Sequence, residues 1–300
     1  MRHSLAINYL LTLLIVISST SLFGQKFEPK KRVIEPDHTI ESKVMDKNFE
    51  LYISFPGAYS AKDTINYPVL YVLDGEIAFP LFNSARKLMD LGSEIEDVII
   101  VGIGSGINFP SNIINRTYNL TPSQDTIYDR GFDKAFGFPK GTIQSGGATK
   151  FLECLTTEII PFIDKHYNTS TDRGIAGLSL GGLFASHCFL NSKGVFNRYG
   201  IGSPSLWWNN EKLLKQGYLQ FIENKTWDIQ PTKVFVSVGG LEGSDMIPTM
   251  TKFSTSLKSA AYKNINLTWK IFEDETHLSV SSAFIGRMLS VLYGKDQLAK

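Results

Sequence analysis

Residues 173–188, Arg-Gly-Ile-Ala-Gly-Leu-Ser-Leu-Gly-Gly-Leu-Phe-Ala-Ser-His-Cys, constrain this chain more than any other stretch. They read as a short apolar strand, an abrupt turn at Ser179, and a helix entered through Gly181 and Gly182. Gly177-Leu178-Ser179-Leu180-Gly181 fits the G-x-S-x-G pattern, in which a serine sits on a strained strand-to-helix turn. Such a turn forces sparsely allowed backbone angles, so its neighbours must lack side chains that would clash. The helix that follows aims its N-terminal amides at the place where an oxyanion would form. A strand-turn-helix unit of this kind implies a parallel α/β sheet.

The flanking sequence agrees. Phe49, Leu51, Ile53 and Phe55 alternate with polar residues, which predicts a half-buried strand paired with the segment 40–44 as an antiparallel edge. Pro68–Leu73 and Val98–Ile103 are continuous apolar runs, as expected for strands buried on both faces. A helix over 78–91 separates them. Residues 149–166 predict an amphipathic helix. Beyond the Ser179 unit, strands are expected at 199–202, 233–238 and 266–272, and helices at 211–222, 249–262 and 281–293. Alternation over the whole length, without a linker, predicts one doubly wound, mostly parallel sheet with helices on both faces. Residues 108–147 read as a loop-rich insertion whose Tyr118, Tyr128, Phe132, Phe136 and Phe138 are expected to line a pocket. Gly102, Gly104 and Gly106 superficially suggest a dinucleotide-binding turn, but Ile107 breaks the spacing and Pro110 opposes the required helix.

A serine hydroxyl needs a base at neutral pH, and the chain holds five histidines. His3 and His38 precede the sheet, and His166 ends the helix before the nucleophile strand. His187 lies about 12 Å along the Ser179 helix at 1.5 Å per residue. His277 follows the last strand, at the end of the sheet where Ser179 also emerges. In this template the acid comes between serine and histidine in chain order. Glu242 and Asp245, after the strand at 233–238, both qualify; Glu242 is preferred because Asp245 could instead cap the next helix. One oxyanion donor is expected from the Leu180 amide. The other should come from Gly75 or Glu76, after the first buried strand, with Asp74 fixing that loop.

At this point the chain resembles the "Putative esterase" family of α/β-hydrolases, which takes in siderophore (enterobactin, salmochelin and bacillibactin) esterases, feruloyl and acetyl-xylan esterases, and esterase D-like enzymes. The resemblance spans about residues 38–294. It rests on Tyr67-Pro-Val-Leu-Tyr-Val-Leu-Asp-Gly75, Arg116-Thr-Tyr-Asn-Leu-Thr-Pro122, Gly146-Gly-Ala148 with Phe151, Gly177-Leu-Ser-Leu-Gly-Gly182, Ser203-Pro-Ser-Leu-Trp-Trp208 and the His277 loop. It implies an α/β-hydrolase fold of about eight strands and a serine carboxylic ester hydrolase working through an acyl-enzyme. The Ser-Pro-Ser-Leu-Trp-Trp segment is most similar to the siderophore esterases, whose substrates are catecholate trilactones. The acid varies in this family, and some members resemble Ser-His dyads. Arg116, Trp207 and Trp208 become candidates for substrate contact, beside the alternatives that Arg116 pairs with a carboxylate in the insertion and that the tryptophans are core. A feruloyl or acetyl-xylan type carbohydrate esterase is the alternative activity. An acyltransferase or a non-catalytic ligand-binding protein on the same scaffold are the others.

Bulk properties narrow the partners. A net charge of +1 gives no electrostatic case for nucleic acid. No His, Cys and carboxylate cluster has ligand spacing, so neither metal nor cofactor is expected. Arg2 and His3 precede an apolar run from Leu5 to Ile17 and a small polar stretch, the layout of a secretory signal peptide over residues 1–24. An uncleaved anchor is the alternative. A single domain over residues 25–300, secreted or periplasmic and acting on a small-molecule or glycan ester, is expected. Cys154 and Cys188 fall in apolar helices, which favours free thiols over a disulfide.

Overall fold

The structure, a computed structural model, describes residues 34–62, 64–106, 110–223 and 230–295. The expected signal peptide lies outside them. The chain divides into two units, Met1–Ile34 and Glu35–Lys300, and the architecture is that of the second. Strands β1 (His38–Ser42), β2 (Lys47–Ser54), β3 (Tyr67–Leu73), β4 (Ile99–Gly104), β5 (Thr169–Leu178), β6 (Arg198–Gly202), β7 (Thr232–Gly239) and β8 (Ile265–Phe272) form one sheet in the order β1-β2-β4-β3-β5-β6-β7-β8. β1 pairs antiparallel with β2 and β2 with β4; β3 through β8 run parallel.

Nine helices are interleaved among the described residues: α1 (Gly75–Leu91), α2 (Ser111–Leu120), α3 (Thr126–Phe136), α4 (Ala148–Cys154), α5 (Ile160–His166), α6 (Leu180–Asn191), α7 (Trp208–Glu223), α8 (Met246–Ser259) and α9 (Val280–Tyr293). A π turn over Leu155–Ile159 joins α4 to α5, where the sequence predicts one continuous helix. Apolar residues of α1 and α9 cover one face of the sheet, including Phe79, Phe82, Phe284 and Met288. The other face packs against α4 to α8 through Phe151, Ile163, Phe184, Leu213 and Phe253. This is the expected α/β-hydrolase architecture. Cys154 and Cys188 are separate, buried thiols.

The insertion differs from the loop-rich expectation, because it contains α2 and α3. Asp125 caps α3 by accepting from the amides of Ile127 and Tyr128, and Gly137 ends it in the left-handed conformation at φ 70°. The aromatics Tyr128, Phe132, Phe136 and Phe138 stack in sequence on one another, and Tyr128 meets Trp208 edge-on at 4.3 Å. α7 opens on a left-handed kink at Asn209, Asn210 and Glu211. Asn209 there donates to Ser123 Oγ and the Gln124 carbonyl, each at 2.9 Å, clamping the insertion to the body of the sheet.

The strand order reverses between β4 and β5 on either side of β3, and the crevice at the carboxyl ends of such strands is where ligands bind in open α/β sheets. Ser179 ends β5 there with φ 60° and ψ −118°. Two glycines hold this turn against its neighbours. A Cβ on Gly177 would lie 2.6 Å from the Gly181 carbonyl carbon, and one on Gly182 would lie 2.4 Å from the Gly202 carbonyl oxygen. Gly181 is different, since its nearest neighbour would be 3.5 Å away, ordinary contact. Gly182→Ala is therefore expected to cost about 2–3 kcal/mol in chemical denaturation, the range of an overpacked core. Gly181→Ala should be neutral or stabilising, because alanine is the better helix former by up to about 1 kcal/mol.

Candidate active site

Three neighbouring strands, β3, β5 and β6, each lead into a non-glycine residue of positive φ: Asp74 (55°), Ser179 (60°) and Ser203 (37°). These turns gather the site. The Ser179 amide donates to Gly202 O at 3.0 Å, and Ser205 N donates back to Ser179 O at 3.1 Å, so the elbow is tied to β6 and to the segment after it. Ser179 Oγ lies 3.5 Å from Ser205 Oγ.

His277 and Glu242 form the second half. His277 Nδ1, in the tautomer that carries its proton there, donates to Glu242 Oε2 at 2.7 Å. The Glu242 side chain has 0% exposure while the imidazole keeps 41%. Ser203 Oγ donates to the other carboxylate oxygen, and the Gly239 amide donates to it at 2.7 Å. Burial pushes the Glu242 carboxyl upward, but the imidazole, the hydroxyl and the amide together outweigh it and hold the group below its ordinary value. Asp245 is exposed at the start of α8, and its side chain makes no capping hydrogen bond there. The reason for preferring Glu242 is thus its own bonding, not a competing duty of Asp245.

Ser179 and His277 open onto one cleft of about 360 Å³ between α1, α2 and α9. Asp74, Glu76, Ile77, Arg116 and Leu278 belong to its lining; Trp207 and Trp208 do not. Trp208 is 1% exposed and donates through Nε1 to the Ser123 carbonyl, whereas Trp207 Nε1 faces Met246 Sδ at 3.1 Å. Both tryptophans, and the aromatic stack of the insertion, support α3 rather than the cleft wall. Arg116 pairs with Asp74, outside the insertion, in a bidentate contact of 2.8 and 3.0 Å. It also reaches the Leu178 carbonyl at 3.4 Å, one residue before the serine.

Gly75 is the first residue of α1, and a Cβ there would come within 2.7 Å of the β4 backbone. The helix N-termini of α1 and α6 therefore converge on the cleft, each presenting unsatisfied amides and a partial positive charge. Glu76 is the unexpected member. One of its oxygens is buried with no hydrogen-bond partner. Burial, offset by the amides of Glu76 and Ser105 and reinforced by Asp74, raises its carboxyl to about 7. Sequence reasoning assigned this residue only a backbone amide, and it passed over Ser203, Ser205 and Leu278. The signal for Ser203 was its place directly after β6, the strand beside that of Ser179. Among the described residues no group of three or more His, Cys, Asp or Glu is placed to hold a metal ion, and no helix is long and apolar enough to cross a membrane.

An elbow serine and a histidine bonded to a buried acid share one cleft at the switch point of an α/β-hydrolase fold. The chain belongs to the "Putative esterase" family, whose model matches residues 42–262. It is 27% identical over 258 residues to the ferri-bacillibactin esterase BesA of Bacillus subtilis, covering 83% of this chain and 86% of that one. It is 26% identical over 232 residues to the apo-salmochelin esterase of Escherichia coli O6:H1, covering 77% and 70%. The crystal structure of the BES protein from Bacillus cereus superposes with a TM-score of 0.74 at 29% identity, over 89% of this chain and 100% of that one. The protein is a carboxylic ester hydrolase.

The raised Glu76 carboxyl predicts a pH signature in stability. A carboxyl whose folded value lies near 7 and whose unfolded value lies near 4.5 binds its proton more tightly when folded. Stability is then full below about pH 4.5 and is lost as pH rises through 7. Glu76→Gln should accordingly be more stable than wild type at pH 8, by at least about 1 kcal/mol, with the difference vanishing by pH 4.5. Urea unfolding at the two pH values checks this.

Proposed function

We propose that the protein is an exported serine esterase that opens siderophore esters by way of an acyl-enzyme. The observation that carries the catalytic half is the His277 Nδ1 to Glu242 contact of 2.7 Å beside the cleft that holds Ser179. With its Nδ1 proton held by a buried carboxylate, the imidazole offers Nε2 as the base. His277 takes the Ser179 proton as Oγ attacks the ester carbonyl, and Glu242 stabilises the imidazolium that forms. The amides of Leu180 and of Gly75 or Glu76 receive the oxyanion. The imidazolium then protonates the leaving alcohol. Water, deprotonated by the same histidine, attacks the acyl-enzyme and releases the acid and free Ser179.

The substrate class rests on similarity to esterases named for bacillibactin and salmochelin, and on the Ser203–Trp208 segment, which supplies Ser203 to Glu242 and Ser205 to the Ser179 carbonyl. Export rests on the leader-like residues 1–24; sequencing the amino terminus of the protein recovered from the cell envelope or medium checks it, and an intact Met1 there would refute cleavage.

Ser179→Ala and His277→Ala should each lower kcat on p-nitrophenyl acetate by a factor on the order of 10⁴ or more, and Glu242→Gln by about 10²–10⁴. Asp245→Asn should stay within about twofold, as an exposed surface change does. A fluorophosphonate probe followed by peptide mass mapping should label Ser179; labelling elsewhere, or none, would refute the nucleophile.

A further inference from the structure

The relatives above are named for a ferric substrate and for a metal-free one, and the charges around this cleft decide between the two. A tris-catecholate that holds ferric iron does so with all six catechol oxygens deprotonated, and the complex is a trianion. The metal-free trilactone keeps its catechols protonated near neutral pH and is uncharged. A site for the trianion needs free cations.

This cleft has none to offer. Arg116 is the single Lys or Arg of its lining, and its Nε and Nη2 both donate to the Asp74 carboxylate, which leaves the pair without net charge. His277 is turned to Glu242. Glu76 lines the same cleft and makes no ion pair among the described residues, and its buried oxygen lacks any hydrogen bond. The rim is apolar and open to water: Leu278 is 81% exposed, Ile77 68% and Leu81 45%. Large aliphatic side chains held in water beside a catalytic serine suit uncharged aromatic rings, whose burial removes apolar surface from solvent. They offer nothing to a trianion, and Glu76 repels it.

We infer that the cleft selects the metal-free, uncharged form of a catechol-bearing ester over its ferric complex, with the Glu76 carboxylate and the apolar rim as the selecting elements. The inference rests on the siderophore-ester reading above. At effective dielectric constants between protein and water, a single carboxylate about 10 Å from a trianion disfavours it roughly tenfold or more.

The test measures kcat/KM of the full chain on enterobactin, metal-free and as its ferric complex, at pH 7.5, above the raised Glu76 value and close enough to neutrality to keep the metal-free catechols largely protonated. The metal-free form should be preferred by about tenfold or more. Glu76→Gln, and separately Leu278→Lys on the rim, should each narrow that ratio severalfold. Raising the salt concentration should speed turnover of the ferric form, because screening relieves repulsion. Equal or faster turnover of the ferric complex by wild type, or a ferric rate that falls with salt, would overturn the inference. If neither form is cleaved while p-nitrophenyl acetate is still hydrolysed through Ser179, the siderophore reading fails and takes the inference with it.

Discussion

The backbone of Ser179 is the constraint on which the site depends. A serine at φ 60° and ψ −118° sits where side chains are rarely tolerated, at a cost of about 1–3 kcal/mol. It stays there because α6 must approach β6 closely enough to put Gly182 under the Gly202 carbonyl. That approach is secured by apolar packing that buries Leu183, Phe184 and Cys188 completely. The core therefore supplies the energy, and the turn converts it into a half-buried hydroxyl beside two helix N-termini.

Charge in the site is arranged as one ion pair, one hydrogen-bonded acid–imidazole pair and one leftover. Asp74 with Arg116 braces the loop that leads into α1, and Glu242 with His277 sets the base. Each pair satisfies its own lone pairs and protons, which keeps buried charge tolerable. Glu76 stands outside both pairs, and its raised carboxyl is the physical sign that burial outweighs the backbone amides that offset it. Positive φ at the ends of β3, β5 and β6 concentrates strain along the same edge.

Legibility in the sequence followed range. Ser179, its motif and the alternation of strands and helices are local patterns with a direct mechanical meaning, and His277 followed from eliminating four other histidines by their place in that alternation. Dense glycines and aromatics made the insertion read as loop, although Asp125 and Gly137 cap a helix there. Trp208 and Arg116 show the limit. Both have residue types suited to ligand contact, and nothing in the neighbouring sequence reveals that Ser123 and Asp74 use their donors.

By itself the sequence determined the fold class and the place of Ser179 on a glycine-flanked strand-to-helix turn, since these follow from periodicity and glycine placement. Only the tertiary structure decided that Glu242 rather than Asp245 meets His277, that Arg116 is neutralised by Asp74, and that Glu76 is left alone beside the serine. Those outcomes depend on which side chains approach within a few ångströms across strands distant in sequence. Both electrostatics and hydrogen bonding fall steeply with distances that the order of residues does not encode.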